Sequence, residues 1–327
     1  MKPAEQIVSL LREACGDEVS SRALCERLNI SRAAVWKHVE ALRAGGYVIA
    51  ASSRRGYRLE FAPDTPNAAE VLPFLTTARL GRDCRYVEET GSTNRDMARI
   101  AAGGAGEGVL LTAGRQSRGR GRMERVWHSP PGLNLYFSLL LRPAVEPGRA
   151  VSLPLVAGLA VAEAVAALAP ELETRVKWPN DILIGGRKVC GVLCEMQAEA
   201  DRVRSVIPGV GVNVNMTARD LPAELRGAAT SLRIAAGRTF SRAETLAAII
   251  NRFEPLYDLW RAEGLKPLLP RIARLDLLCG REVRMARGGE ELRGVARGIQ
   301  EDGAMRLETD QGIVPVYSGE VRMVRGF

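Results

Sequence analysis

Gly114-Arg115-Gln116-Ser117-Arg118-Gly119-Arg120-Gly121-Arg122-Met123-Glu124-Arg125-Val126-Trp127 lies between two apolar runs that read as strands, residues 108 to 113 and 133 to 141. Five arginines occupy the eleven positions from 115 to 125, with glycines among them. Arginines at that density repel one another, so the segment is expected to resist folding until an anion enters it. Glycine lets the backbone approach such a guest, and guanidinium forks suit phosphate and carboxylate oxygens. Two readings stand open at this point. The segment is either a loop closing over an anionic small molecule or a basic patch for nucleic acid.

The rest of the composition narrows the field. A chain of 327 residues has room for two or three domains with real cores. With 46% hydrophobic and 26% charged residues it reads as a soluble globular protein, and a net charge of +8 favours anionic partners. Six scattered cysteines (Cys15, Cys25, Cys84, Cys190, Cys194, Cys279) make no disulfide framework and fit a reducing, cytoplasmic setting. Cys190 and Cys194 have a metal-like gap, but they sit in an apolar run without a second pair, so buried strand positions and no metal site are expected. With only His38 and His128 present, a Ser-His-Asp triad is not expected. The glycine spacing matches neither a Walker loop nor a Rossmann fingerprint. Charge from Lys2 and Glu5 onward argues against a signal peptide. The alanine-rich stretch 151 to 169, interrupted by Pro154 and Glu163, reads as a buried helix rather than a membrane span.

Ahead of the loop, residues 3 to 15 and 20 to 28 carry helical periodicity, and Asn29-Ile30 makes a turn. A third helix starts at Ser31, a good N-cap. Val35, Val39 and Leu42 share one face of it, leaving Arg32, Ala33, Trp36 and Lys37 largely on another. A hairpin over residues 47 to 59 then carries Ser52-Ser53-Arg54-Arg55-Gly56 at its tip. This order predicts a winged helix-turn-helix that meets DNA through Ser31, Arg32, Ala33, Trp36, Lys37, Arg54 and Arg55. The plainer alternative is a three-helix interaction module with a solvated basic face. Residues 61 to 67 read as a linker.

Beyond the linker, strands and helices mix. Thr90-Gly91-Ser92-Thr93-Asn94 precedes a helix over 95 to 102, and its side chains are expected to cap that helix. Lys177, Asp181 and Lys188 stand at strand ends around a Gly185-Gly186 turn, where lysine offers a point charge and aspartate can hold Mg²⁺. Residues 206 to 214 form a glycine-punctuated strand, and a long helix covers 242 to 263. From Asp276 short alternating runs, broken at Gly288-Gly289, Asp302-Gly303 and Gln311-Gly312, predict a small barrel or sandwich. The expected architecture is α+β: a helix-turn-helix domain over 1–62, a mixed-sheet domain with helices over 68–272, and a small SH3-like β domain over 275–327. Arginine, lysine, aspartate and backbone N–H groups at loops suit phosphoryl or adenylyl transfer, in which positioning and charge neutralisation dominate.

Four of these stretches, in order, resemble the biotin–protein ligases. They are Ser92-Thr93-Asn94, then Gln116 with Gly119-Arg120-Gly121-Arg122 and Trp127, then Lys177-Trp178-Pro179-Asn180-Asp181, and last Lys188 with Gly191 and Glu195. The N-terminal module is similar to that of the bifunctional members, which also repress the biotin operon. The resemblance implies that biotin and Mg·ATP form biotinyl-5′-adenylate, and that biotin then passes to a lysine of a biotin carboxyl carrier domain. It implies that Ser92, Thr93, Asn94 and Gln116 hold the biotin ring system, and that Arg120, Gly121 and Arg122 close over biotin and the adenylate phosphate. Lys188 would meet the carboxylate and the developing charge, with Asp181 near the attacking lysine or metal. Arg120, Arg122, Trp127, Lys177, Asn180 and Asn213 would face the nucleotide, and the adenylate would favour a homodimer that binds operator DNA. This chain departs from the family pattern at Glu124, where a glycine is expected, and at Arg118, where a small residue is usual. Two other readings remain: a regulator that only senses a small molecule, and a lipoate or octanoate transferase.

Overall fold

The computed structural model describes residues 3–52, 54–199, 202–287 and 290–324. Lys2, Ser53 of the expected wing tip and the expected break at Gly288-Gly289 lie outside the described residues. Helices α1 (Pro3–Glu13), α2 (Ser21–Leu28) and α3 (Arg32–Ala44) pack around Ile7, Leu11, Leu24, Val35 and Val39. Serine caps start two of them, since Ser20 Oγ accepts from Ala23 N at 3.1 Å and Ser31 Oγ accepts from Ala34 N at 3.2 Å. Asn29 ends α2 with φ of 54°, a left-handed conformation that asparagine tolerates. Strands β1 (Val48–Ser52) and β2 (Gly56–Phe61) form the antiparallel wing.

The linker is clamped on both sides. It leads into a short helix, α4 (Ala68–Val71), whose Glu70 is buried. The Glu70 carboxylate pairs with Arg12 of α1 and accepts from Tyr47 Oη at 2.7 Å. On the other side Thr112 Oγ1 donates to the Pro66 carbonyl at 2.7 Å.

The central domain is a seven-stranded sheet in the order β3-β4-β5-β9-β8-β7-β6. Its elements follow the chain as β3 (Cys84–Thr90), α5 (Thr93–Ala102), β4 (Leu110–Gln116), β5 (Leu135–Leu139), α6 (Pro147–Ala150), α7 (Leu153–Leu168), β6 (Thr174–Lys177), β7 (Asp181–Ile184), β8 (Arg187–Glu199) and β9 (Arg202–Val212). Only β3 and β4 run parallel; the other neighbours are antiparallel. Helices α8 (Leu232–Ala236), α9 (Arg242–Glu263) and α10 (Leu269–Leu275) complete the domain. Helix α7 is apolar on nearly every face, and Leu159, Ala160 and Val161 are fully buried in the core it shares with the sheet and α9. The segment Pro147–Leu168 has the length and hydropathy of a membrane span, yet most of it is buried inside the fold. That is the place of a core helix.

Strands β8 and β9 outrun their neighbours. Strand β7 pairs with β8 only as far as Gly191, while β8 continues paired to β9 as far as Glu199. Residues 193 to 199 thus have a second edge with no strand on it among the described residues.

The C-terminal domain is a five-stranded antiparallel sheet: β10 (Glu282–Arg287), β11 (Glu290–Ile299), β12 (Met305–Thr309), β13 (Gly312–Val316) and β14 (Glu320–Met323). Its order is β13-β12-β11-β10-β14, so β13 and β14 are its two edges, and no pairing between them closes a barrel among the described residues. It docks through Gly303, whose carbonyl accepts from the buried Trp178 Nε1 at 2.9 Å. A Cβ at that position would stand 2.9 Å from the Ser152 Cβ, and φ is +88°, so glycine is required there.

Glu70→Ala removes the acceptor of both Arg12 and Tyr47. Breaking a buried pair from one side costs ~3–5 kcal/mol, reduced to roughly 2 kcal/mol because Arg12 is partly exposed. We expect a lower thermal midpoint and faster chymotrypsin cutting at Phe61, where the linker begins. An unchanged midpoint and unchanged cutting would show that Glu70 does not clamp the module.

Candidate functional site

One cavity of about 330 Å³ opens beside the end of β4, the start of β7, the first half of β8 and the last residues of β9. The arginine segment forms one wall, and Gly319, Glu320 and Val321 of the C-terminal domain form another. Ser92, Thr93, Asn94, Gln116, Arg120, Gly121, Arg122, Trp127, Lys177, Asn180, Asp181, Lys188 and Asn213 all line it.

At one end a chain of polar side chains holds itself in place. Ser92 occupies the N-cap position of α5, yet its side chain makes no cap bond, contrary to the sequence expectation. Gln116 takes over that task, because its Oε1 accepts from Thr93 N at 2.9 Å and lies 3.2 Å from Thr93 Oγ1. Gln116 Nε2 donates to Ser129 Oγ at 3.3 Å. Ser138 Oγ lies 2.8 Å from Thr93 Oγ1 and 2.6 Å from Asn94 Oδ1, and Asn94 Nδ2 donates to the Leu193 carbonyl at 3.1 Å. Each amide has its orientation fixed by a neighbour, which leaves a rigid polar surface for a ligand. Ser92 Oγ, relieved of capping, remains available to that ligand.

The floor is made of glycine. A Cβ at Gly209 would enter the Asn94 amide, and one at Gly211 would enter the Trp127 indole. At Gly191 it would stand 3.0 Å from Lys188 Nζ and 3.1 Å from Trp127 Cζ3. The three glycines therefore let an amide, an indole and an ammonium lie flat on the sheet. Trp127 Nε1 is buried and carries no hydrogen bond among the described residues, a donor still to be met.

Charge collects at the opposite end. Lys188 Nζ lies 2.7 Å from Asp181 Oδ1 and 5.3 Å from the centroid of the Trp127 ring. Asn180 Nδ2 donates to the Val192 carbonyl at 2.8 Å, and its Oδ1 accepts from Arg122 at 3.3 Å. Burial pulls the pKa of Lys177 below the usual lysine value, with Asp181 opposing the shift. Burial likewise lowers Arg122, again opposed by Asp181. These are cations stripped of part of their water, and an incoming anion returns the stabilisation that burial removed. Asn213 faces the cavity, but its Nδ2 is committed to the Thr230 carbonyl at 2.9 Å.

The arginine segment corrects one expectation. It is folded rather than waiting for an anion: Trp127 N donates to Gly119 O at 2.9 Å and Gly121 N to Arg125 O at 2.7 Å, closing a small hairpin. The repulsion that argued against order is relieved by the chain's own carboxylates. Arg120 reaches Glu195 at 3.0 Å, and Arg125 pairs with Glu320 of β14. Arg118 points outward, and its backbone N–H donates to Gly91 O at 2.9 Å. The tip of the hairpin places Met123 at φ 54° and Glu124 at φ 57°, both in the left-handed region. A glycine at 124 would take that conformation freely, and glutamate takes it at a cost of ~1 kcal/mol.

A further roof comes from the segment after β9, with Met216, Leu221, Leu225 and Ala229 lining the cavity. His128 Nε2 lies 3.2 Å from the Asp220 carbonyl and joins that roof to the hairpin. The DNA-facing residues of the sequence reading lie on the N-terminal module instead. Arg32, Ala33, Lys37, Arg54 and Arg55 are exposed, Trp36 is 59% exposed, and Ser31 spends its oxygen on the cap of α3. Arg55 also pairs with Glu18 at 3.4 Å.

Three family models match along the chain: an HTH domain over residues 4–58, the biotin/lipoate A/B protein ligase family over 88–213, and the biotin protein ligase C-terminal domain over 278–324. A bifunctional ligase/repressor BirA of Bacillus subtilis is 39% identical over 319 residues, covering 98% of both chains. The Escherichia coli protein of the same name is 33% identical, covering 97% of this chain and 96% of that one. Among solved structures, a biotin protein ligase from Aquifex aeolicus in complex with biotin and ATP superposes with a TM-score of 0.65 at 32% identity. It covers 76% of this chain and all of that one. The chain belongs to the bifunctional biotin–protein ligase/repressor family.

Within that family frame, the sequence reading missed the floor and the far wall. Gly209 and Gly211 stood in a strand noted only for its glycines, whose repeated spacing was the available signal. Ser138 lay unremarked in an apolar strand, and nothing local marks Glu320, since it meets the hairpin from 195 positions away.

Two substitutions test the geometry. Gly211→Ala drives a methyl into the Trp127 indole, and at ~1–3 kcal/mol for overpacking biotin affinity should fall about tenfold. Unchanged affinity by calorimetry would remove Trp127 from the floor. Glu124→Gly relieves the left-handed cost at the hairpin tip, so trypsin should cut at Arg122 and Arg125 roughly threefold more slowly, given ~1 kcal/mol at most. Equal or faster cutting would place no strain at that residue.

Proposed function

We propose that this cavity carries both half-reactions of biotin ligation, with the polar end holding biotin and the cationic end holding the nucleotide. The single observation that carries this reading is the meeting of a rigid neutral polar surface and a desolvated cation cluster in one cavity. Biotin presents a neutral ureido ring at one end and a carboxylate at the other. Ser92, Thr93, Asn94 and Gln116 meet the ring, and Trp127 with the glycine floor supplies the flat wall. Lys188 leaves Asp181 for the carboxylate and brings its charge beside phosphorus.

In the first step a carboxylate oxygen attacks the α-phosphorus of ATP. The bond from that phosphorus to the bridging oxygen breaks, and pyrophosphate leaves with the electron pair. Arg120, Arg122, Lys188 and Lys177 offset the mutual repulsion of the two anions and the charge that grows on the equatorial oxygens. Asn180 keeps Arg122 aimed, and Asn213 borders the nucleotide. In the second step the amine of a carrier-domain lysine attacks the acyl carbon. The bond to AMP breaks and the amine gives up a proton, with Asp181 placed near that amine. Mg²⁺ accompanies ATP. Among the described residues no group of three His, Cys, Asp or Glu forms a cage, and a lone Asp181 fits an ion held chiefly by phosphates.

The protein is a ligase and a repressor. Its finer organisation is our proposal: a DNA-binding domain over 1–62, a catalytic domain over 68–272, a C-terminal domain over 275–327, and a cytoplasmic setting. The bare edge of β8 at 193–199 offers backbone donors and acceptors to an added strand. We assign it to the carrier domain during transfer and to a second copy of the chain when the adenylate is retained for operator binding.

Incubation with biotin, Mg·ATP and a carrier domain should yield a biotinylated lysine. Lys188→Ala should lower pyrophosphate release by ~100-fold or more, while transfer from added biotinyl-5′-AMP falls far less. No product from the parent chain with a competent acceptor sinks the ligase reading. Equal loss in both steps sinks the role given to Lys188.

A further inference from the structure

Arg242 is a buried charge whose acidic partner lies outside the catalytic sheet. It opens α9 and is only 5% exposed. Its backbone N–H donates to Asp64 Oδ1 at 2.7 Å, its Nε lies 3.1 Å from Asp64 Oδ2, and its Nη2 donates to the Asp64 carbonyl. Among the described residues, Asp64 is the acid within ion-pair distance of it. Asp64 belongs to the linker, just beyond the last wing strand. Its carboxylate also sits at the N-terminus of α9, where the helix dipole favours a negative charge.

From Arg242 the contacts run inward to the cavity. Nη1 donates to the Asn134 carbonyl at 3.4 Å, and the fully buried Asn134 accepts from Val214 N through Oδ1 at 3.0 Å. Val214 follows Asn213, which lines the cavity, borders the nucleotide in the proposal above, and has a carbonyl that accepts from Leu232 N at 3.0 Å. The Pro66 carbonyl is tied to Thr112 of β4, the strand that delivers Gln116 and the arginine hairpin. The linker is thus tied to β4 and, through Arg242 and Asn134, to the backbone beside Asn213. The Glu70 clamp holds Arg12 and Tyr47 of the helix-turn-helix module to that same linker.

We propose that Asp64 and Arg242 are positioning residues that make ligand affinity at the Asn213 end depend on where the DNA-binding module stands. This rests on the ligase/repressor reading above. A buried guanidinium cannot lose its counter-charge cheaply, so a shift of the linker carries Arg242 with it. Asn134 and the 213–214 exit of β9 must follow. By reciprocity, a ligand that fixes Asn213 favours one placement of the module and raises its affinity for DNA by the same factor.

The test uses the full chain with biotinyl-5′-AMP and DNA from upstream of its own gene. Asp64→Asn should weaken biotinyl-5′-AMP binding about tenfold and shrink the ligand-induced gain in DNA affinity by a similar factor, with kcat for adenylate formation at saturating substrates within about twofold. Asp64→Glu, which keeps the charge, should recover most of both. A fall in thermal midpoint with ligand affinity and DNA gain unchanged overturns the proposal and leaves a structural anchor. Should Asp64→Asn fail to fold, the pair Asp64→Asn with Arg242→Gln leaves no unpaired charge; retained coupling in that pair also overturns it. A parent chain that makes biotinyl-5′-AMP but gains no DNA affinity from it overturns the coupling alone. A parent that makes none overturns the ligase reading beneath it.

Discussion

The molecule is built around a conflict of like charges. Arg120, Arg122, Arg125, Lys177 and Lys188 converge on one cavity, and burial lowers the pKa of two of them, Arg122 and Lys177. Bringing a carboxylate and a triphosphate together needs that convergence. Keeping it without ligand needs acids close by, and the chain supplies Asp181, Glu195 and Glu320, each from a different strand. None of these pairs is deep. All three leave side chains about a quarter to three-fifths exposed, so each is worth little in isolation and can be exchanged for a better anion. A deep pair in the same places would lock the site shut.

That exchange explains why the C-terminal sheet stands where it does. Glu320 opens β14 and meets Arg125 across the mouth, while Gly303 at the far side of the same sheet holds Trp178. Trp178 lies between Lys177 and the Pro179-Asn180-Asp181 run, so one docking contact fixes the backbone that carries three charged or polar groups into the cavity. The small domain is part of the site's frame rather than an appendage. A five-stranded sheet of this size has little core of its own, and leaning on the central domain supplies burial as well as position.

Much of this was legible in the sequence for definite reasons. The helix-turn-helix showed itself through Ser31, the apolar face at Val35, Val39 and Leu42, and the basic wing, all local signals. Residues 242 to 263 read as one long helix, and α9 spans just those residues with Pro255 inside it. The stretches naming site residues were short enough to keep their order in the chain. What could not be read were relations between distant positions. The capping expectation at Ser92 failed because Gln116, on another strand, supplies the acceptor. The arginine segment was expected to stay open because charge counted along the chain ignores Glu195 and Glu320, which arrive only through sheet pairing. The glycines of β8 and β9 gave a signal without a meaning until Trp127 and Asn94 lay on them.

The same distinction separates the two ways this chain handles buried charge. Around the cavity, acids and bases are partly exposed and exchangeable, which suits groups that must release one partner to take another. At the linker one member of each pair is enclosed: Arg242 and Glu70 are buried while Asp64 and Arg12 stay partly exposed, and each enclosed group keeps several bonds to one partner set. Exchange there would leave a charge without water or counter-ion, a penalty of several kcal/mol by general experience. Shallow pairs are therefore the moving parts and deep pairs the couplings between domains. A protein that must both turn over a ligand and report its presence to DNA needs the two kinds in different places.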